Sequence, residues 1–126
     1  GENKAYINSM DVEMKSVETN QCTELFIDNF IELIPVDNIM QALTIWKTKL
    51  RHGATLIVTG TDITQLAKAI LTKTLKLPQI NQILFGPGFR SCLNLDDVVV
   101  LLEHLELKVV TKRLTDLKYT IIAERP

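Results

Sequence analysis

Asp28, Asn29 and Glu32 sit just beyond the compact apolar run Thr23–Ile27. If that run is a central strand, its carboxy-terminal end carries two carboxylates and an amide to the edge where open α/β sheets bind ligands. Asp and Asn at such a point also serve as turn caps, so chemistry and local structure both account for them. Thr61 and Asp62 follow the next apolar run and reach the same edge, with Asp62 spaced from Gln65 as a helix N-cap. His52 precedes a helix-ending Gly, where a cation suits the helix dipole, and His104 sits on a helix beside apolar neighbours, so neither makes a catalytic pair to defend. Cys22 and Cys92 belong to no CxxC or Cys/His cluster, arguing against zinc or a disulfide framework and for idle thiols in a reducing, cytoplasmic compartment.

Positioning these residues requires alternating strands and helices. Residues 5–12 read as a short first strand interrupted by Asn8 and Ser9, and residues 15–22 as a polar loop. Asp37 is the expected N-cap of a helix whose stripe is Ile39, Leu43, Trp46 and Leu50, with Gly53 ending it in a left-handed conformation. The run 54–59 has the composition of a strand buried on both faces. A helix follows from Asp62, with Ile63, Leu66, Ala67, Ile70 and Leu71 inward. A shorter helix runs from Pro78 to Leu84, then comes the loop Gly86-Pro87-Gly88. Asn94 caps a further helix that turns Leu95, Val98, Val99 and Leu102 inward. Strands near 106–113 and 117–124 close the chain through a turn at 114–116. The expected fold is α/β: a three-layer open sheet, mainly parallel, with an antiparallel C-terminal hairpin, in one domain over residues 1–126.

Two segments carry a family resemblance. Leu25-Phe26-Ile27-Asp28-Asn29-Phe30-Ile31-Glu32-Leu33-Ile34-Pro35 resembles the fourth-strand segment of class I S-adenosylmethionine-dependent methyltransferases. Trp46-Lys47-Thr48-Lys49-Leu50-Arg51-His52-Gly53-Ala54 is similar to the family's helix and Gly-Gly turn before the fifth strand. The likeness covers residues 23–126 well and 5–22 weakly, and implies a truncated Rossmann-like methyltransferase fold. By resemblance, Asp28, Asn29 and Phe30 line the methionine or adenine side of S-adenosylmethionine, and Asp11 hydrogen-bonds its ribose hydroxyls. Departures are equally plain. Leu33 stands where the family often has His, Gly53-Ala54 replaces Gly-Gly, and the family's first strand and GxGxG-like loop have no counterpart. The glycines of that loop let backbone N–H groups approach the cofactor, so these residues should hold it weakly or not at all. Two readings therefore stand: part of a methyltransferase whose glycine-rich segment lies upstream, or a non-catalytic methyltransferase-like interaction module.

The bulk composition narrows the partners. With 126 residues, 46% of them hydrophobic, the chain can fill one core. Its formal net charge of -1 gives no electrostatic case for nucleic acid, and Lys108, Lys112, Arg113 and Lys118 read as a solvated face. No apolar run reaches the length of a membrane span, and the polar first 22 residues lack a signal-peptide core. Gly1 is read as a residue of the kind left by tag removal. With the family's first strand missing, an uncovered strand edge should favour a homodimer with residues 5–27 at the contact.

Overall fold

A computed structural model of the chain describes residues 3–7 and 10–126. Five strands form one open sheet in the order β1-β2-β3-β5-β4. They are β1 (Lys4–Tyr6), β2 (Cys22–Asp28), β3 (Leu50–Thr61), β4 (Lys108–Thr115) and β5 (Lys118–Glu124). The β1–β2 and β2–β3 ladders are parallel, whereas β5 runs against both β3 and β4. The expected parallel neighbours 23–27 and 54–59 lie in register, Leu25 beside Leu56 and Ile27 beside Val58. Four helices connect the strands: α1 (Val36–Lys49), α2 (Ile63–Leu71), α3 (Leu77–Phe85) and α4 (Leu95–His104). None of the described helices is long and apolar enough to cross a membrane.

The core lies between one sheet face and two helices. Leu25, Ile27, Leu56, Val58, Ile121 and Ala123 are each at most 2% exposed and join one cluster with α1 and α4. Ile39, Leu43 and Trp46 are the contribution of α1, as their spacing requires, and Val98 and Leu102 that of α4. The opposite sheet face is different. Phe26, Ile57 and Ile122 are ladder neighbours there, only half-buried and outside the core cluster. These residues form a half-buried face outside the cluster that α1 and α4 close. The signal lies in β3, whose outward positions Thr55, Ile57 and Thr59 alternate with buried Leu56 and Val58, a half-wetted pattern.

Several boundaries move. The first strand is three residues long, and residues 8–9 of the expected 5–12 segment fall outside the described residues. Pro35, not Asp37, occupies the N-cap of α1; Asp37 sits in its first turn, where its charge complements the helix dipole. Gly53 does take a left-handed φ of 83°, but inside β3, where the β2–β3 register shifts between Cys22 and Glu24. His52 consequently lies on a strand, with its Nδ1 2.7 Å from the Pro126 carbonyl oxygen, and not at a helix end. Of the inward residues expected for α2, only Leu66 is buried, and Leu71 is 82% exposed. The final turn centres on Asp116 and Leu117, with Asp116 left-handed at φ 54°.

Candidate ligand-binding edge

The carboxy-terminal ends of β2 and β3 bring the polar residues together. Asn29 leaves β2 in a left-handed conformation, φ 53°, which Asn tolerates better than most residues. Its N–H donates to the Thr59 carbonyl at 3.0 Å, fastening the turn to β3. Asp28 Oδ1 accepts the Thr59 hydroxyl, takes a 3.4 Å contact from the Asn29 side-chain amide, and lies 3.7 Å from Lys118 Nζ. That ion pair is half in water and contributes little to stability.

Glu32 is the buried member of the group, 6% exposed, on the single 3₁₀ turn Ile31–Leu33. Its Oε1 accepts the Thr61 N–H at 2.6 Å, and its carbonyl accepts Arg90 N–H at 2.7 Å and Ser91 N–H at 3.1 Å. One residue therefore ties together the ends of β2 and β3 and the segment before α4. Loss of hydration pushes its carboxyl above the usual range, with Asp28 adding to the rise; the Thr61 hydrogen bond and Lys118 oppose it. Asp62, 2% exposed, caps two helices: Oδ1 accepts Gln65 N–H at 2.9 Å and Oδ2 accepts Leu95 N–H at 2.7 Å. Structure accounts for Asp62 fully, as its spacing implied.

Phe30 points the other way. Its ring meets Trp46 edge-on at 6.1 Å and helps line an apolar groove of about 460 Å³ with Val12, Leu33, Ile34 and Ala42. Trp46 is core, 1% exposed, and its Nε1–H donates to the Val12 carbonyl at 2.7 Å, fixing the wall opposite Phe30. Leu33 keeps this rim apolar. Asp11 lies one residue before Val12, but its carboxylate is engaged in its own turn. Oδ1 accepts Lys15 N–H at 2.8 Å, and Oδ2 accepts the Ser16 N–H and hydroxyl at 3.0 and 2.5 Å. The Ser16 hydroxyl, followed by the Ser16 and Lys15 N–H groups, holds the Asp11 carboxyl below its ordinary value.

The four sequence candidates are thus divided. Asp28 and Asn29 share one edge, Phe30 turns into the groove, and Asp11 closes its own turn next to Val12 without lining the groove. A second cleft of about 630 Å³ opens beside Asn29 and Glu32, rimmed by Thr61, Phe89, Asp116 and Lys118. Sequence reasoning overlooked Tyr119, whose hydroxyl and the Glu32 carboxylate both lie over Gly60. Tyr119 is 1% exposed, and Gly60 is its ladder neighbour. The alternation of Tyr119, Ile121 and Ala123 along β5 was the available signal for an inward tyrosine. Neither histidine reaches this edge, and no group of three or more His, Cys, Asp or Glu among the described residues could hold a metal.

No protein-family model matches the sequence, nor does any curated protein. Solved structures do share its fold. A protein from Pyrococcus horikoshii aligns with a TM-score of 0.69 at 15% identity, over 92% of this chain and 57% of its own. A SAM-dependent methyltransferase from Methanosarcina mazei gives 0.65 at 14% identity, over 90% and 64%. An O-methyltransferase family 2 protein from Planctomyces limnophilus gives 0.64 at 12% identity, over 92% and 33%. The chain has the fold of the S-adenosylmethionine-dependent methyltransferases and spans from one-third to just under two-thirds of these three proteins.

Proposed function

We propose that the chain is a methyltransferase-like domain of a SAM-dependent enzyme, incomplete in its cofactor site, with the groove between Val12 and Phe30 as the seat of the adenine ring. One observation carries this reading: an open sheet whose last strand runs antiparallel, with the apolar groove and the Asp28–Asn29 turn at its carboxy-terminal edge. The residues fit part of the cofactor. A flat aromatic ring suits a groove walled by Phe30, Leu33 and Ala42, with Asn38 and Gln41 supplying polar contacts. Asp11 is held ionised beside it, although three donors already occupy its oxygens, so it serves the ribose only through their remaining lone pairs. Asp28 and Asn29 are placed for the amino-acid end. The sequence's five glycines, at 1, 53, 60, 86 and 88, form no GxGxG loop, so that end lacks its backbone donors. When bound, the cofactor supplies an electrophilic methyl group; these residues contribute binding and orientation.

Binding to these residues should accordingly be weak. Titration with S-adenosylhomocysteine, followed by amide chemical shifts, should move Val12, Leu33 and Ala42 without reaching saturation in the micromolar range. Shifts confined to residues away from the groove would remove the cofactor assignment. Free Cys22 and Cys92 agree with a reducing, cytoplasmic setting. A homodimer remains part of the proposal, now through β1. That strand pairs with β2 and is itself the sheet edge, and its Tyr6, 65% exposed, stacks on Phe26 at 4.7 Å on the uncovered face. Light scattering should give twice 14.3 kDa. Replacing Tyr6 with Asp should return the protein to monomer, and a dimer untouched by Tyr6→Asp would place the contact elsewhere.

A further inference from the structure

Helices α2 and α3 are amphipathic, yet neither joins the interior. No residue of either belongs to the core cluster or packs against it, and α3 has no buried residue. On α2 the stripe Ile63, Ala67, Ile70 and Leu71 keeps helical spacing but is exposed along its length. Leu71, 82% exposed, and Leu77, 73% exposed, stand at the two ends of the link 72–76 that joins the helices.

The link is folded, not frayed. Thr72 N–H donates to the Lys68 carbonyl at 2.9 Å and Thr74 N–H to the Ala69 carbonyl at 3.0 Å. The Thr72 and Thr74 hydroxyls donate to the same two carbonyls, at 2.8 and 3.0 Å. Lys73 lies between them with a left-handed φ of 60°. The polar groups of the link thus turn onto the backbone, while Leu71, Lys73, Lys76 and Leu77 stay exposed.

Charge gives this tip its sign. Residues 63–95 hold Lys68, Lys73, Lys76 and Arg90 and no Asp or Glu, in a chain whose formal net charge is -1. None of the three lysines joins an ion pair among the described residues. Lys68 shares shallow clefts with Asp96 and Asp116; Lys73 and Lys76 line neither. The amino end of α3, with no acidic residue in its first turn, adds the positive end of a helix dipole at the same place. Nucleic acid would meet the lysines but leave the leucines in water, and an apolar protein groove would take the leucines but not the ammoniums. An anionic bilayer accommodates both, with acyl chains for leucine and phosphates for lysine. Helices of nine residues lie on such a surface and do not cross it.

We propose that the tip between α2 and α3 docks this domain on the surface of an anionic phospholipid bilayer. Leu71 and Leu77 enter the acyl boundary, and Lys68, Lys73 and Lys76 hold lipid phosphates.

The 126-residue chain should sediment with phosphatidylcholine vesicles containing about 30% phosphatidylserine, not with phosphatidylcholine alone, and added salt should release it. Lys73→Asn, which suits the left-handed backbone, and Lys76→Gln should each weaken binding about five-fold, and together about 25-fold. Leu71→Gln with Leu77→Gln, both far from the core, should weaken it about ten-fold with an unchanged urea midpoint. Failure to sediment with the anionic vesicles, indifference to phosphatidylserine, or wild-type binding by both double variants would overturn the proposal. So would a chain that ignores vesicles and retards duplex DNA through the same lysines, which assigns the tip to nucleic acid. A mass in light scattering that halves in the double leucine variant would assign it to a second copy and overturn the proposal equally.

Discussion

Gly60→Ala puts the convergence of Glu32 and Tyr119 under direct strain. The added methyl would lie 2.5 Å from the Tyr119 hydroxyl, 2.7 Å from Glu32 Oε1 and 2.7 Å from Tyr119 Cζ, closer than real side chains approach. Gly60 does not have a left-handed φ, so alanine meets no backbone objection and would by itself gain about 0.4–1 kcal/mol through the unfolded chain. Against that gain, the Tyr119 ring is packed at 1% exposure and cannot retreat freely, an overpacking cost of about 1–3 kcal/mol. If Glu32 swings aside, the Thr61 N–H loses its acceptor, adding about 1–3 kcal/mol. The balance is a loss of about 2–4 kcal/mol, which at an m-value near 2 kcal/mol per molar lowers the urea midpoint by about 1–2 M. Tyr119→Phe removes the nearest atom, so the cost of Gly60→Ala should fall by about 1 kcal/mol in that background. An unchanged or higher midpoint for Gly60→Ala would refute the geometry, as would an undiminished cost beside Tyr119→Phe.

Two other perturbations probe the same edge. Asp62→Ala removes the acceptor for both Gln65 and Leu95 N–H groups, and should cost about 2–4 kcal/mol in the same urea assay; a loss below 1 kcal/mol would mean the double cap is not formed. Glu32 gives a pH dependence of definite sign. Because folding raises its pKa above 4.5, its contribution is fully present below 4.5 and is lost as pH climbs through the raised value. Glu32→Gln lacks that step, so the variant should gain on the wild type from acid to neutral pH, and a flat difference across that range would sink the assignment. Asp11 works in the opposite sense, its share being lost as pH falls, but it is common to both proteins and cancels in the comparison.

Local patterning made much of the fold legible. The stripe Ile39, Leu43, Trp46 announced α1, and Asp62 and Asn94 announced the caps they make, because a helix period and an N-cap are short-range properties. The placement of Asp28 and Asn29 at the carboxy-terminal end of a strand followed from their position after an apolar run, and β2 ends there. What the sequence left open depends on contacts between distant segments. Nothing near Gly53 says that its left-handed turn falls within a strand, since the β2–β3 register decides it. Asp11 could be read as a ribose ligand until its turn folded and filled its oxygens with Lys15 and Ser16 donors. Gly60, Glu32 and Tyr119 lie far apart in the chain, and only the β3–β5 ladder and the 3₁₀ turn bring a buried carboxyl and a tyrosine hydroxyl over one glycine. The sequence determined which elements form and which ends carry charge, because those depend on neighbours along the chain. Tertiary structure alone decided which charges are buried together, because burial is set by packing between elements that no local pattern encodes.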